Sequence, residues 1–242
     1  MTELKAVIFD YYETLAELSP ETRERTFAHL ARKVGVDLPP GEAYRHWREL
    51  TTADIKLRLG GKQPPLNGPT PPFRTFREVW LQRSRELLAH WGVDDPAQVG
   101  ADAYIGAHSN AALYPEVPDA LAALRDRYRL AILSDADSAF IEASMRRNGL
   151  AFDVVVTSEG LQAYKPHVSL FREVCARLDV QPSEAVYVGD SAWADIEGAR
   201  HAGMGAVWVN RHDASWPEEL ALPPATVTSL DTLAATIETS RA

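Results

Sequence analysis

A chain of 242 residues that is 45% hydrophobic and 24% charged is long enough to bury a large core, and its single cysteine, Cys175, rules out a fold stapled by internal disulfides. The 25 Lys and Arg against 34 Asp and Glu give a formal charge of -9, a field that repels polyphosphate backbones and speaks against nucleic-acid partners, while a local cation still admits a small anionic substrate. No apolar run approaches the roughly 18 residues needed to cross a bilayer, and Met1-Thr2-Glu3-Leu4-Lys5 lacks a signal-peptide layout. The expectation is a cytoplasmic protein in a reducing compartment, free of membrane and nucleic-acid partners, working as a monomer or homodimer.

The first predicted strand is Ala6-Val7-Ile8-Phe9, an apolar run that stops at Asp10. Helical periodicity then takes over, with helices expected over 21–34, 41–59, 73–91 and 95–107. Pro64-Pro65-Leu66-Asn67-Gly68-Pro69-Thr70-Pro71-Pro72 cannot continue a helix and reads as an extended connector within this stretch. Trp80 and Trp91, on two of these helices, read as packing groups.

From there strands and helices alternate. Leu121, Leu124 and Tyr128 mark a helix ahead of the strand Leu130-Ala131-Ile132-Leu133, which ends at Ser134-Asp135. Phe140, Ala143, Ser144 and Arg147 mark the next helix, with Asp137 or Ser138 as N-cap and Gly149 as its stop. Val154-Val155-Val156 runs into Thr157-Ser158. Pro166 suits the first turn of a helix carrying Leu170, Phe171, Val174, Cys175 and Leu178. Ala185-Val186-Tyr187-Val188 ends at Gly189-Asp190, a helix follows from Asp195 through Ala199 to Gly203, and Ala206-Val207-Trp208-Val209 ends at Asn210.

Near-continuous apolar strands belong to parallel sheets covered on both faces. The pattern therefore predicts an α/β fold: a doubly wound, Rossmann-like parallel sheet with right-handed crossovers and a helical domain inserted after strand one. Residues 1–15 and 109–242 would form the core and 16–108 the helical insert.

Ligands of open parallel sheets bind beyond the carboxyl ends of the strands. Asp10, Ser134-Asp135 and Gly189-Asp190 all fall there, and Lys165 reaches the same edge. Carboxylates gathered around one lysine repel one another unless a divalent cation lies between them, and an all-oxygen site suits Mg2+. Taken singly, Asp10 could be a turn former, Ser134 a cap, Lys165 a solvated cation and Asp195 a helix N-cap.

Four ordered signatures resolve that ambiguity. They are Val7-Ile8-Phe9-Asp10-Tyr11-Tyr12-Glu13-Thr14-Leu15, Ile132-Leu133-Ser134, Tyr164-Lys165-Pro166, and Val188-Gly189-Asp190-Ser191-Ala192-Trp193-Ala194-Asp195 followed by Gly198-Ala199 and Ala202-Gly203. With them the chain resembles the haloacid dehalogenase (HAD) superfamily of hydrolases, in its variant with a helical cap after the first strand. The resemblance implies that Asp10 is a nucleophile forming a covalent aspartyl intermediate, that Thr14 and Ser134 donate to the transferred group, and that Lys165 neutralises charge between nucleophile and substrate. It also implies Mg2+ held by Asp10, the carbonyl of Tyr12, Asp190 and Asp195. Asp135 is a substrate-side candidate beside Ser134.

The sequence departs from the phosphatase pattern at Tyr12, where those enzymes carry a second aspartate as general acid. A phenol with an ordinary pKa near 10 is a poor proton donor at neutral pH, so Glu13, Asp135 or water becomes the candidate replacement. Carbon-halogen hydrolases of the superfamily often have tyrosine there, and Trp47-Arg48 resembles their cap tryptophan-arginine pair, which makes Arg48 a candidate substrate ligand. The paired Asp190 and Asp195 point the other way, since the metal-free dehalogenases have serine and asparagine in that segment, and Phe171 replaces their usual tyrosine. The leading expectation is a Mg2+-dependent phosphatase of a small phosphorylated metabolite. The alternatives are a metal-independent 2-haloacid dehalogenase and a non-catalytic binding protein. His46, Trp47, Arg48, Arg74, Arg77 and Trp80 are candidates to line the cleft.

Overall fold

The computed structural model describes residues 3–58, 65–94, 96–221 and 225–239, with the side chains of 51–58 excepted. Leu59, Pro64 and Asp95, which bound expected elements, lie outside the described residues. The chain runs β1 (Ala6–Phe9), α1 (Pro20–Lys33), α2 (Glu42–Arg58), α3 (Phe76–His90), α4 (Gln98–Ser109), α5 (Val117–Arg125), β2 (Arg129–Ser134), α6 (Ser138–Arg147), β3 (Val154–Thr157) and the short α7 (Ser158–Leu161). It continues through α8 (Val168–Arg177), β4 (Ala185–Gly189), a π-helical turn (Ala192–Glu197), α9 (Gly198–Ala202), β5 (Gly205–Val209), β6 (Ala225–Val227) and α10 (Leu233–Thr239).

Six parallel strands form one sheet in the order β3-β2-β1-β4-β5-β6. The chain lays strands to one side of β1 and then returns to its other side, so the switch point falls at β1, where a crevice opens beyond the strand ends. Alternation along β1 divides the core. Val7 and Phe9 pack with Leu121, Leu124, Ile132 and Val188 on one face, while Ala6 and Ile8 pack with Leu133, Phe171, Val174 and Tyr187 on the other. Cys175 is buried in the second cluster, and burial pushes its thiol up to about 11, leaving an inert group.

The helices α1–α4 build a third cluster from Phe27, Leu30, Trp47, Trp80 and Leu87, to which Phe140 of α6 also belongs. Trp80 stacks on Phe140 with centroids 5.4 Å apart, and Trp91 donates its indole N–H to His46 Nδ1 at 3.0 Å. Several polar contacts join these helices to the sheet. Asp137 stands at the N-cap position of α6, yet its carboxylate accepts from the backbone N–H groups of Phe76 and Arg77 at 2.7 and 2.9 Å, so it caps α3 instead. The proline-rich connector docks on the core through Val168 N–H to Leu66 O, 2.9 Å.

Three local expectations change. Pro166 precedes α8, whose N-cap is His167, and does not lie in its first turn. The segment from Asp195 begins as a π turn, with the α-helix starting at Gly198. The sheet gains β6, which had too little apolar pattern to be predicted.

Candidate active site

β1, β2 and β4 end in register, Phe9 pairing with Ile132 on one side and Val188 on the other. The residues following these strands therefore meet at one edge. Asp10 N–H donates to Val188 O at 2.9 Å, which fixes where the first carboxylate leaves the sheet.

At the centre is Lys165, almost fully buried. Its ammonium donates to Asp10 Oδ1 at 2.9 Å and to Asp195 Oδ1 at 2.6 Å, and it lies 3.2 Å from the Tyr187 hydroxyl. Burial opposes its charge, but Asp10 and Asp195 outweigh it and hold the amine protonated well above its usual range. Tyr187 is a contributor that sequence reading missed, although a tyrosine within an otherwise apolar strand was a signal. Its hydroxyl donates to Leu133 O at 2.6 Å and stands 3.2 Å from Asp195 Oδ1, and burial pushes its ionisation far upward, keeping it a neutral donor.

Asp195 comes from the π turn. The extra residue in that turn brings its carboxylate back over the end of β4, where Oδ2 accepts from Ser191 N–H at 2.9 Å. Gly189 makes the approach possible, because a Cβ there would lie 2.5 Å from Asp195 Cγ. Gly189→Ala is expected to cost about 1–3 kcal/mol of stability and to displace Asp195 from Lys165. Thermal melting and turnover check this together; an alanine variant that matches the parent in both would show that the approach has slack.

One oxygen each of Asp10, Asp190 and Asp195 lies within 4.8 Å of the others. Asp195 accepts from Lys165 and Ser191 with the Tyr187 hydroxyl 3.2 Å away, and Asp10 accepts from Lys165 at one oxygen, whereas no described protein donor reaches the Asp190 carboxylate. Burial, with Asp195 and Asp10 adding to it, drives Asp190 well above the usual carboxylate range. Three carboxylates around one ammonium leave excess negative charge, and the undonated Asp190 faces that excess. The donor set is all oxygen, which fits a hard divalent cation.

Ser134 and Thr14 are both buried, and the Thr14 hydroxyl has no hydrogen-bond partner among the described residues. Asp135 accepts from Lys165 N–H at 3.0 Å, and burial pushes it up to about 7 although nearby Lys165 pulls it down. Tyr12 turns its ring toward α4, 4.8 Å from the His108 ring, and its hydroxyl donates to His108 O at 3.3 Å. Burial, reinforced by Tyr11 and Asp10, raises that phenol far above its ordinary value, which removes it as a proton donor. His108 itself is pushed down to about 3 by burial and stays neutral.

Glu13 is directed away from Lys165. Its carboxylate accepts from Leu18 N–H and meets His212 Nε2 at 2.9 Å and the Tyr114 hydroxyl at 3.4 Å. Arg48 is exposed, its guanidinium 5.9 Å over the Tyr44 ring. Arg23 of α1 approaches the turn that follows β1, 3.9 Å from Glu13. His46 is engaged with Trp91, Trp47 is core, Arg74 bonds Gln82, and Arg77 is exposed beside Asp102. Trp80 packs against Phe140 and His108.

The model of the family described as haloacid dehalogenase-like hydrolase matches residues 4–203. (S)-2-haloacid dehalogenase 1 of Pseudomonas sp. (strain CBS-3) is 32% identical over 227 residues, covering 93% of this chain and 91% of that protein. Phosphoserine phosphatase of Thermus thermophilus is 36% identical over 236 residues, covering 86% of this chain and 89% of its own. Among solved structures, the HAD-hydrolase YfnB of Bacillus subtilis, bound to magnesium, superposes with a TM-score of 0.77 at 19% identity over 98% of this chain and 100% of that one, a likeness of fold.

Proposed function

The chain belongs to the haloacid dehalogenase-like hydrolases, and from that premise we propose that it is a Mg2+-dependent phosphatase of a small phosphorylated metabolite, with Asp10 as nucleophile. In this reading residues 16–108 are the cap and 1–15 with 109–242 the catalytic core. The observation that carries it is Asp190, a carboxylate with no donor among the described residues, set beside Asp10 and Asp195. Retaining such a group without a cation is costly. Both phosphatases and 2-haloacid dehalogenases stand at about 30% identity to this chain, so the choice between them rests on the site.

Asp10, the Tyr12 carbonyl, Asp190 and Asp195 would hold Mg2+, which when bound offsets the charge of the transferred phosphoryl group. The chain supplies the rest. An Asp10 oxygen attacks phosphorus as the bond to the leaving oxygen breaks; water then attacks the same phosphorus, releasing phosphate and restoring the carboxylate. Ser134 and Thr14 donate to the phosphoryl oxygens, and Lys165 neutralises charge between the nucleophile and the substrate. The leaving oxygen takes its proton from Asp135, whose value near 7 suits a donor at neutral pH, or from water.

The expected result is phosphate release from a panel of monoesters that needs Mg2+, together with a Mg2+-induced rise in melting temperature that Asp190→Asn abolishes. No release with or without the ion would remove the proposal. A second reading, 2-haloacid dehalogenation, is favoured by Tyr12 and by the Lys165 ammonium that pairs with both Asp10 and Asp195. Chloride or fluoride release indifferent to a chelator would establish it instead.

A further inference from the structure

The turn that carries Asp10 and Thr14 is held from outside by a segment with no part in the four signatures. Glu13, between the two, has a φ of 63°, in the left-handed region that glycine adopts freely and glutamate rarely does. Its carboxylate is buried and tied to Leu18 N–H, Tyr114 and His212, as described above. His212 belongs to the loop that follows β5, and its neighbour Arg211 reaches further in.

The Arg211 side chain is 8% exposed. One end of its guanidinium donates to the carbonyl of Thr14 at 2.8 Å, and the other pairs with Glu116 at 2.7 Å. Its Cζ lies over the Tyr114 ring, 3.6 Å from the centroid. The loop is itself braced, because Asn210 accepts from Ala214 N–H at 2.8 Å and donates to Ala214 O at 2.9 Å. A buried, forked cation with a stacked aromatic beneath it and a carboxylate at one end has little freedom. The Thr14 peptide it grips is therefore fixed as well, and so is the Thr14 hydroxyl, buried and without a partner among the described residues.

We propose that Arg211 is a positioning residue for the reaction. It acts through the Thr14 carbonyl to hold the Thr14 hydroxyl and the turn from Asp10 in the geometry that receives the substrate, with the Glu13–His212 contact as a second strut. This rests on the reading of Asp10 and Thr14 as nucleophile and donor, and it is indifferent to whether phosphate or halide leaves.

The test compares the full chain with Arg211→Lys, Arg211→Met, Thr14→Ala and the Thr14→Ala/Arg211→Met double variant. The probe is 4-nitrophenyl phosphate with Mg2+, whose phenolate leaves without needing an acid, and 2-chloropropionate runs in parallel. Arg211→Met should lower kcat roughly 10- to 100-fold with KM little changed, the scale of a small misplacement at the reacting centre. In the Thr14→Ala background it should cost almost nothing further, because the residue through which it acts is gone. Arg211→Lys keeps a charge for Glu116 but not the fork, so it should melt close to the parent while kcat still falls. Hydrogen exchange of the peptide spanning residues 11–16 should quicken in Arg211→Lys while α8 is unmoved, a readout that needs no turnover. Equal costs in both backgrounds, a melting shift with kcat intact, or unchanged exchange in the turn would each overturn the proposal. Absence of turnover in the parent on both probes would count against the reading of the site, and exchange would still judge the tether.

Discussion

Asp10→Asn should leave a folded protein with essentially no turnover, a loss of about 10^4-fold or more. The substitution is nearly isosteric, so packing beneath β1 is unaffected. The chemistry is not, because an amide has no ionised oxygen to attack with and cannot form the ester. The charge around Lys165 also changes: the ammonium keeps Asp195 at 2.6 Å but loses its anionic partner at 2.9 Å. Melting temperature should move by only a few degrees, so lost turnover with an intact melt separates nucleophile from scaffold. Steady-state assays on any substrate the parent accepts check this, and a variant retaining even a hundredth of parental kcat would contradict it.

Lys165→Met should have the largest effect on stability. Removing the ammonium strands the buried carboxylates of Asp10 and Asp195, and breaking such a pair from one side costs about 3–5 kcal/mol. For a chain of this length that lowers the melting temperature by on the order of 10 °C. The pH dependence has a definite sign. Lys165 is raised above its ordinary 10.5 in the folded state, so its contribution is complete below that value and is lost only as pH climbs through the folded one. The parent should show no Lys165-linked loss through neutral pH. In the variant the deficit appears at neutral pH and shrinks on acidification, as the stranded carboxylates take up protons. Melting curves from acid to alkaline pH check both statements, and a deficit that grows on acidification would contradict the assignment.

The strand-end residues were legible because strands covered on both faces read as unbroken apolar runs, and the polar residue that stops each run is the one at the sheet's edge. The same patterning assigns Asp10, Ser134, Asp135 and Asp190 to one edge from the sequence alone. Lys165 follows no strand, so its place at that edge rested on its position ahead of Pro166 and the next helix, and its role on the Tyr164-Lys165-Pro166 signature. Other features were hidden for physical reasons. β6 is three residues at the sheet's edge and carries no periodic signal. Trp47 is buried in the insert's core, and consecutive helical residues do not share a face, so Arg48 points outward while Arg23, 25 positions away, approaches Glu13. Arg211 and His212 reach the turn after β1 across nearly 200 residues of chain, with separations of 197 and 199 positions. Local patterning does not encode such a contact.

The most direct test of the central claim is the mass of the peptide carrying Asp10, isolated after acid quench during turnover of a phosphomonoester with Mg2+. A phosphoryl adduct on Asp10 is expected, and it should vanish when substrate is exhausted. In 18O-labelled water the label should enter the released phosphate and leave Asp10 unlabelled, because water attacks phosphorus. Label accumulating in the Asp10 carboxylate would mean that water attacks the acyl carbon, as expected of an alkyl ester left by halide displacement. Turnover with neither adduct nor label on Asp10, and with parental rates in Asp10→Asn, would contradict the account.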